Sequence, residues 1–123
     1  MYTLSIETKF ASAHQLREYN GKCENLHGHN WKVQVVVSSR SLNKIGIAID
    51  FTDLRRVANE VIGSLDHICL NDLPQFADVN PSSENISRWI FESLKENFAA
   101  YNVTLKSITV WESETAAATY SEE

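Results

Sequence analysis

The segment Cys23-Glu24-Asn25-Leu26-His27-Gly28-His29 gathers a thiol, a carboxylate and two imidazoles within seven residues. In an extended chain, residues i and i+2 face the same way, so His27 and His29 can reach one metal ion. Gly28 between them reads as a point where the backbone bends or passes close to a neighbour. Metal ligation needs a third protein group, and His14, at the end of a preceding strand, supplies it if the two strands pair. Three neutral imidazoles select a borderline metal, most often zinc, and leave a fourth position open, as in a catalytic site. Cys23 has two readings: a fourth ligand that closes a structural site, or a thiolate beside the metal acting as base or nucleophile.

Further along, Asp66-His67 can be a surface or capping pair, or a carboxylate that orients an imidazole for proton transfer. Glu112 can be a solvated strand end, or a carboxylate accepting two N–H groups from an amino-pyrimidine edge. Ser82 and Ser83 read first as helix-capping residues, and their hydroxyls and the free helix N–H groups could bind a polar ligand. Cys69 sits among apolar residues with no evident partner.

The elements that must hold these groups follow from periodicity. Tyr2, Leu4 and Ile6 alternate with polar residues and predict a strand running toward Phe10. Asn20-Gly21 marks a turn, and Trp31, Val33, Val35 and Val37 alternate in a second strand. The two strands can pair as an antiparallel hairpin with a long, functional-looking loop. Thr52-Asp53 opens a helix whose stripe is Leu54, Val57, Ala58, Val61, Ile62 and Leu65, ending near Leu65. A second helix starts at Asn80-Pro81-Ser82-Ser83-Glu84, with proline in its first turn, and continues through Ile86, Trp89, Ile90, Leu94 and Phe98. Val103 to Trp111 predicts a third strand, and Thr119-Tyr120 a short fourth. The order gives an α+β fold: a four-stranded antiparallel sheet with two helices on one face and two open edges that invite oligomerisation.

A chain of 123 residues suits a single domain, here residues 1–123. A net charge of −5 with scattered basic residues weighs against nucleic acid and anionic membranes as partners. No apolar run is long enough to span a bilayer, and no signal peptide is visible at the N-terminus. Two cysteines without a secretion signal predict reduced thiols in a cytoplasm.

Phe10-Ala11-Ser12-Ala13-His14, Cys23 with three residues before His27-Gly28-His29, Ile49-Asp50-Phe51, Asp66-His67 with Leu70-Asn71-Asp72, Pro81-Ser82-Ser83-Glu84-Asn85 and Val110-Trp111-Glu112 occur in this order. Together they resemble the 6-pyruvoyl-tetrahydropterin synthase superfamily, and within it the bacterial 6-carboxy-tetrahydropterin synthases of queuosine biosynthesis. The resemblance covers nearly the whole chain. It implies a tunnelling fold whose sheets join into a barrel, with trimers stacking into cytoplasmic homohexamers and active sites at subunit interfaces. It implies one zinc per subunit on His14, His27 and His29, and a pterin substrate. The reaction would convert 7,8-dihydroneopterin triphosphate to 6-carboxy-5,6,7,8-tetrahydropterin, acetaldehyde and triphosphate. Cys23 would abstract a proton, His67 oriented by Asp66 would relay protons, Glu112 would anchor the pterin ring, and Ser82 and Ser83 would lie near it.

Glu24 is a complication. Some relatives carry Glu in place of Cys and give 6-hydroxymethyl-7,8-dihydropterin for folate, and the combination of Cys23 with Glu24 resembles dual-function members. A second activity through Glu24 is therefore one alternative, Glu24 as a plain loop residue another, and a zinc-binding assembly module without chemistry a third. For the triphosphate, Arg17, Lys22 and Lys106 are available, with nothing in the sequence to choose among them.

Overall fold

The computed structural model describes residues 1–19, 21–22 and 24–122. Two long strands, β1 (Tyr2–His14) and β2 (His27–Ser39), form the predicted antiparallel hairpin. Both run further than the alternation suggested, because pairing carries the extended conformation past the apolar residues into the histidines. Helix α1 (Phe51–Ile62) is capped by Asp50, whose carboxylate accepts the Thr52 N–H at 2.7 Å. It stops three residues short of Leu65; Gly63–Leu65 form a tighter 3-10 turn that still buries Leu65.

Strand β3 (Ile68–Cys69) follows, then helix α2 (Ser83–Leu94), β4 (Thr104–Trp111) and β5 (Ala117–Tyr120). The sheet order is β3-β1-β2-β4-β5. The expected four antiparallel strands are all present, but the sheet is five-stranded and mixed, since β3 pairs parallel to β1 through Ser12–Ile68 and Ala13–Cys69. Two residues after a 3-10 turn carry no periodicity, so nothing in the sequence marks β3. At α2, Ser82 is the cap, accepting the Asn85 N–H at 3.1 Å. Pro81 therefore lies before the cap and not in the first turn.

The core lies between the buried face of the sheet and the apolar stripes of both helices. Trp31, Val33, Val35 and Val37 of β2 face Leu54, Ala58 and Ile62 of α1 and Ile86, Ile90 and Leu94 of α2 within one cluster. Burial of this continuous apolar surface is the main stabilising term. No helix is long and apolar enough to cross a membrane.

Candidate metal centre and active site

The β1–β2 register sets His14 directly opposite His27, and Ser12 opposite His29. At the end of the hairpin the three rings therefore crowd together. Centroids are 4.6 Å apart for His14 and His27, 5.2 Å for His14 and His29, and 4.7 Å for His27 and His29. The fully buried Trp31 ring supports them from the core, edge-on to His14 at 4.8 Å and to His29 at 5.0 Å.

Two backbone carbonyls orient the rings. His14 Nδ1 lies 2.7 Å from the Pro81 carbonyl and His27 Nδ1 lies 2.8 Å from the Asn25 carbonyl. A carbonyl only accepts, so each Nδ1 carries the proton. In the neutral rings the two Nε2 atoms thus present lone pairs to one another at 3.1 Å. Glu112 adds a further acceptor, with Oε1 at 3.2 Å from His14 Nε2 and 3.1 Å from His29 Nε2. Despite that short distance, His29 Nε2 is buried without a hydrogen-bond partner of good geometry. Burial, with help from the neighbouring imidazoles, pushes the His29 pKa down and favours the uncharged ring, partly opposed by the Glu112 carboxylate.

Four possible ligand atoms converge within 4.8 Å, and the lone pairs of His14 Nε2, His27 Nε2 and Glu112 repel one another unless a proton or a cation lies among them. Nitrogens bound to one tetrahedral zinc at about 2.0–2.1 Å would stand about 3.4 Å apart, close to the 3.1 Å between His14 and His27. The residues therefore fit a divalent metal, with second-sphere carbonyls already fixing the tautomers.

Several expected partners are not at this centre. Asp66 and His67 do pair, with His67 Nδ1 2.8 Å from Asp66 Oδ2. They are fastened to β1 at Ala11, whose N–H donates to Asp66 Oδ1 at 2.8 Å and whose carbonyl accepts the His67 N–H at 2.6 Å. His67 sits in the left-handed region at φ 58°, and its side chain is 82% exposed. Among the described residues, neither member of the pair contacts the three histidines. Ser82 is engaged as the α2 cap, while Pro81 beside it holds His14, so the start of α2 does border the centre. Cys23 lies outside the described residues. Glu24 Oε1 accepts the Leu16 N–H at 3.0 Å and stands 4.0 Å from His27 Nε2.

Gly28 meets neither condition expected of it: its φ is not positive, and an added Cβ would lie an ordinary 3.8 Å from the Ser12 carbonyl. Of the cations suggested for the triphosphate, Arg17 is spent on loop carbonyls, donating to Phe76 O at 2.7 Å and Asn71 O at 3.4 Å. Lys106 lies near the start of β4, while Glu112 follows its other end. A cavity of about 710 Å³ borders Glu112 and is lined by Lys9, Lys32 and Trp111 among others. Lys32 Nζ stacks 4.3 Å over the Trp111 ring.

The sequence offers Glu112 as a solvated strand end or a ligand anchor, and neither reading brings it to the metal group. Sequence reasoning also missed Trp31 as the floor and the Pro81 and Asn25 carbonyls as orienting groups. Backbone carbonyls have no residue signature, so only the fold reveals them.

Comparison with known proteins agrees with this architecture. Residues 3–123 match the family profile described as 6-pyruvoyl tetrahydropterin synthase. The chain is 33% identical to the 6-carboxy-5,6,7,8-tetrahydropterin synthase of Haemophilus influenzae, over 99% of this chain and 100% of that one. It is 37% identical to the protein of the same name from Synechocystis, over 98% of this chain and 93% of that one. The structure of Caenorhabditis elegans 6-pyruvoyl tetrahydropterin synthase superposes with a TM-score of 0.85 at 26% identity, covering 99% of this chain and 96% of that one. With its hairpin histidines, α+β sheet and near full-length match, the chain belongs to the 6-pyruvoyl tetrahydropterin synthase family of enzymes.

Proposed function

We propose that the protein is a zinc-dependent lyase converting 7,8-dihydroneopterin triphosphate to 6-carboxy-5,6,7,8-tetrahydropterin, acetaldehyde and triphosphate, in the 7-deazapurine branch that leads to queuosine. The observation that carries this reading is the convergence of ligand atoms of His14, His27 and His29 within 4.8 Å of one another. Full-length similarity to two proteins named as 6-carboxy-5,6,7,8-tetrahydropterin synthases supports the choice of product.

Zinc held by the three histidines would supply Lewis acidity toward the oxygens of the substrate side chain. Glu112 would accept pterin N–H groups, its Oε1 already sharing the space in front of His14 and His29. Cys23, four residues before His27 in the sequence, would remove a proton from the side chain of the substrate. His67 would move protons on the opposite side, with Asp66 holding its Nδ1 and leaving Nε2 free. Ser82 and Ser83 would border the pterin through the α2 N-terminus.

The Asp66–His67 pair is exposed and fastened to Ala11. We therefore place it at the zinc of a second copy, which makes the active unit a homo-oligomer, a hexamer of two trimers whose sheets close into barrels. The Cys23→Ala variant tests the catalytic reading of the thiol. It should keep one zinc per chain while turnover falls at least 100-fold, comparable to losing a general base. Loss of zinc and thermal stability together would instead make Cys23 a structural ligand.

A further inference from the structure

The loop between β1 and β2 begins with the tripeptide Gln15–Arg17, whose main-chain N–H and carbonyl groups are all taken by three residues, five of the six by side chains. Asn71 accepts the Gln15 N–H at 2.9 Å and donates to the Gln15 carbonyl at 2.9 Å. Asn80 does the same at Arg17, at 2.8 and 3.0 Å. Between them Leu16 is held by Glu24: the Leu16 N–H donates to Glu24 Oε1 at 3.0 Å and the Glu24 N–H donates to the Leu16 carbonyl at 3.0 Å. The tripeptide directly follows His14, and Glu24 lies three residues before His27. The Glu24 side chain thus ties the exit of one metal-ligand strand to the entrance of the next.

We propose that Glu24 is a positioning residue that holds the His14 and His27 ends of the hairpin in register through the Leu16 N–H, and is not the base of a second reaction. The inference rests on the zinc reading above. The carboxylate oxygen engaged by Leu16 is the same one that stands 4.0 Å from His27 Nε2, so the oxygen facing the metal group is already held in the clasp. Its function needs an acceptor at a fixed reach and not a negative charge. A side-chain amide oxygen can replace it, whereas a shorter carboxylate cannot span the gap.

The test compares Glu24→Gln, Glu24→Asp and Glu24→Ala in the zinc-loaded full chain. The first readout is the rate of zinc transfer to a chromophoric chelator, which needs no substrate. Supporting-shell losses typically cost about 10-fold or more in metal affinity. Transfer should therefore be about 10-fold faster in the Ala and Asp variants and within about two-fold of wild type in Gln. The second readout is kcat and KM for the 6-carboxy product. We expect kcat to fall in Ala and Asp with KM held, and to return in Gln. A Gln variant that loses zinc as fast as Ala, or a hydroxymethyl product made by wild type and abolished in Gln, overturns the proposal. An Ala variant that holds zinc like wild type also overturns it. If wild type turns over none of this substrate while the zinc order holds, the lyase reading fails and the clasp stands.

Discussion

His14 and His27 are each held by a carbonyl on Nδ1, which leaves Nε2 as the atom able to ligate a metal. His29 brings a buried Nε2 with no hydrogen bond to lose. Replacing any one of the three with Ala should remove stoichiometric zinc, measured by atomic absorption, and reduce turnover below detection. Retention of one zinc per chain in His29→Ala would show that Glu112 completes a different site. Gly28→Ala is expected to be tolerated, within about 1 kcal/mol in chemical denaturation, because strand φ and space both admit a Cβ. At this scale the histidines that the fold brings together were legible from the i, i+2 spacing and a third histidine near a strand end. Glu112 was legible as a carboxylate at the right strand end but not as a neighbour of His14. That contact depends on β4 lying beside β2 in the sheet, a pairing no local pattern encodes.

At the scale of elements, β3 and its preceding turn exist to fix Asp66-His67 against β1. The Ala11 N–H holds the Asp66 carboxyl below the ordinary carboxylate range, opposed by partial desolvation and assisted by His67. A carboxyl whose folded value lies below its unfolded value of about 3.9 adds stability above that pH, and the contribution disappears as pH falls through the folded value. Asp66→Asn should therefore be less stable than wild type at pH 6, with the difference narrowing by pH 3, as read from urea midpoints at both. A constant difference would mean that the ionised form makes no special contact. The hairpin, both helices and β4 were readable because their apolar periods are long. The Pro81 position and β3 were not: the first turns on which of several possible caps wins at Asn80–Ser83, the second on a two-residue pairing with Ser12 and Ala13.

At the scale of the molecule, β3 covers only Ser12 and Ala13 of β1, so its outer edge from Tyr2 to Phe10 pairs with no strand among the described residues. Beside that edge, Tyr2, Ile47 and Phe51 are exposed around an apolar groove of about 420 Å³. Unpaired edges and apolar patches of this kind are covered in stable assemblies, and a second copy of the chain is the occupant our account assigns. Phe51→Glu should shift sedimentation from oligomer to monomer. The monomer should keep its zinc, since all three histidines belong to one hairpin, yet lose turnover, since His67 would no longer meet a neighbouring site. A fully active monomer would contradict the shared-site arrangement. Edges were legible in the sequence as the ends of a small sheet, while which edge stays open was decided by where β3 docks.

The most direct test of the central claim is product analysis by mass spectrometry, using purified zinc-loaded protein and 7,8-dihydroneopterin triphosphate. The account predicts 6-carboxy-5,6,7,8-tetrahydropterin with acetaldehyde, abolished by removing zinc and restored by adding it back. No conversion by protein that holds its zinc, or 6-hydroxymethyl-7,8-dihydropterin as the sole product, would contradict it.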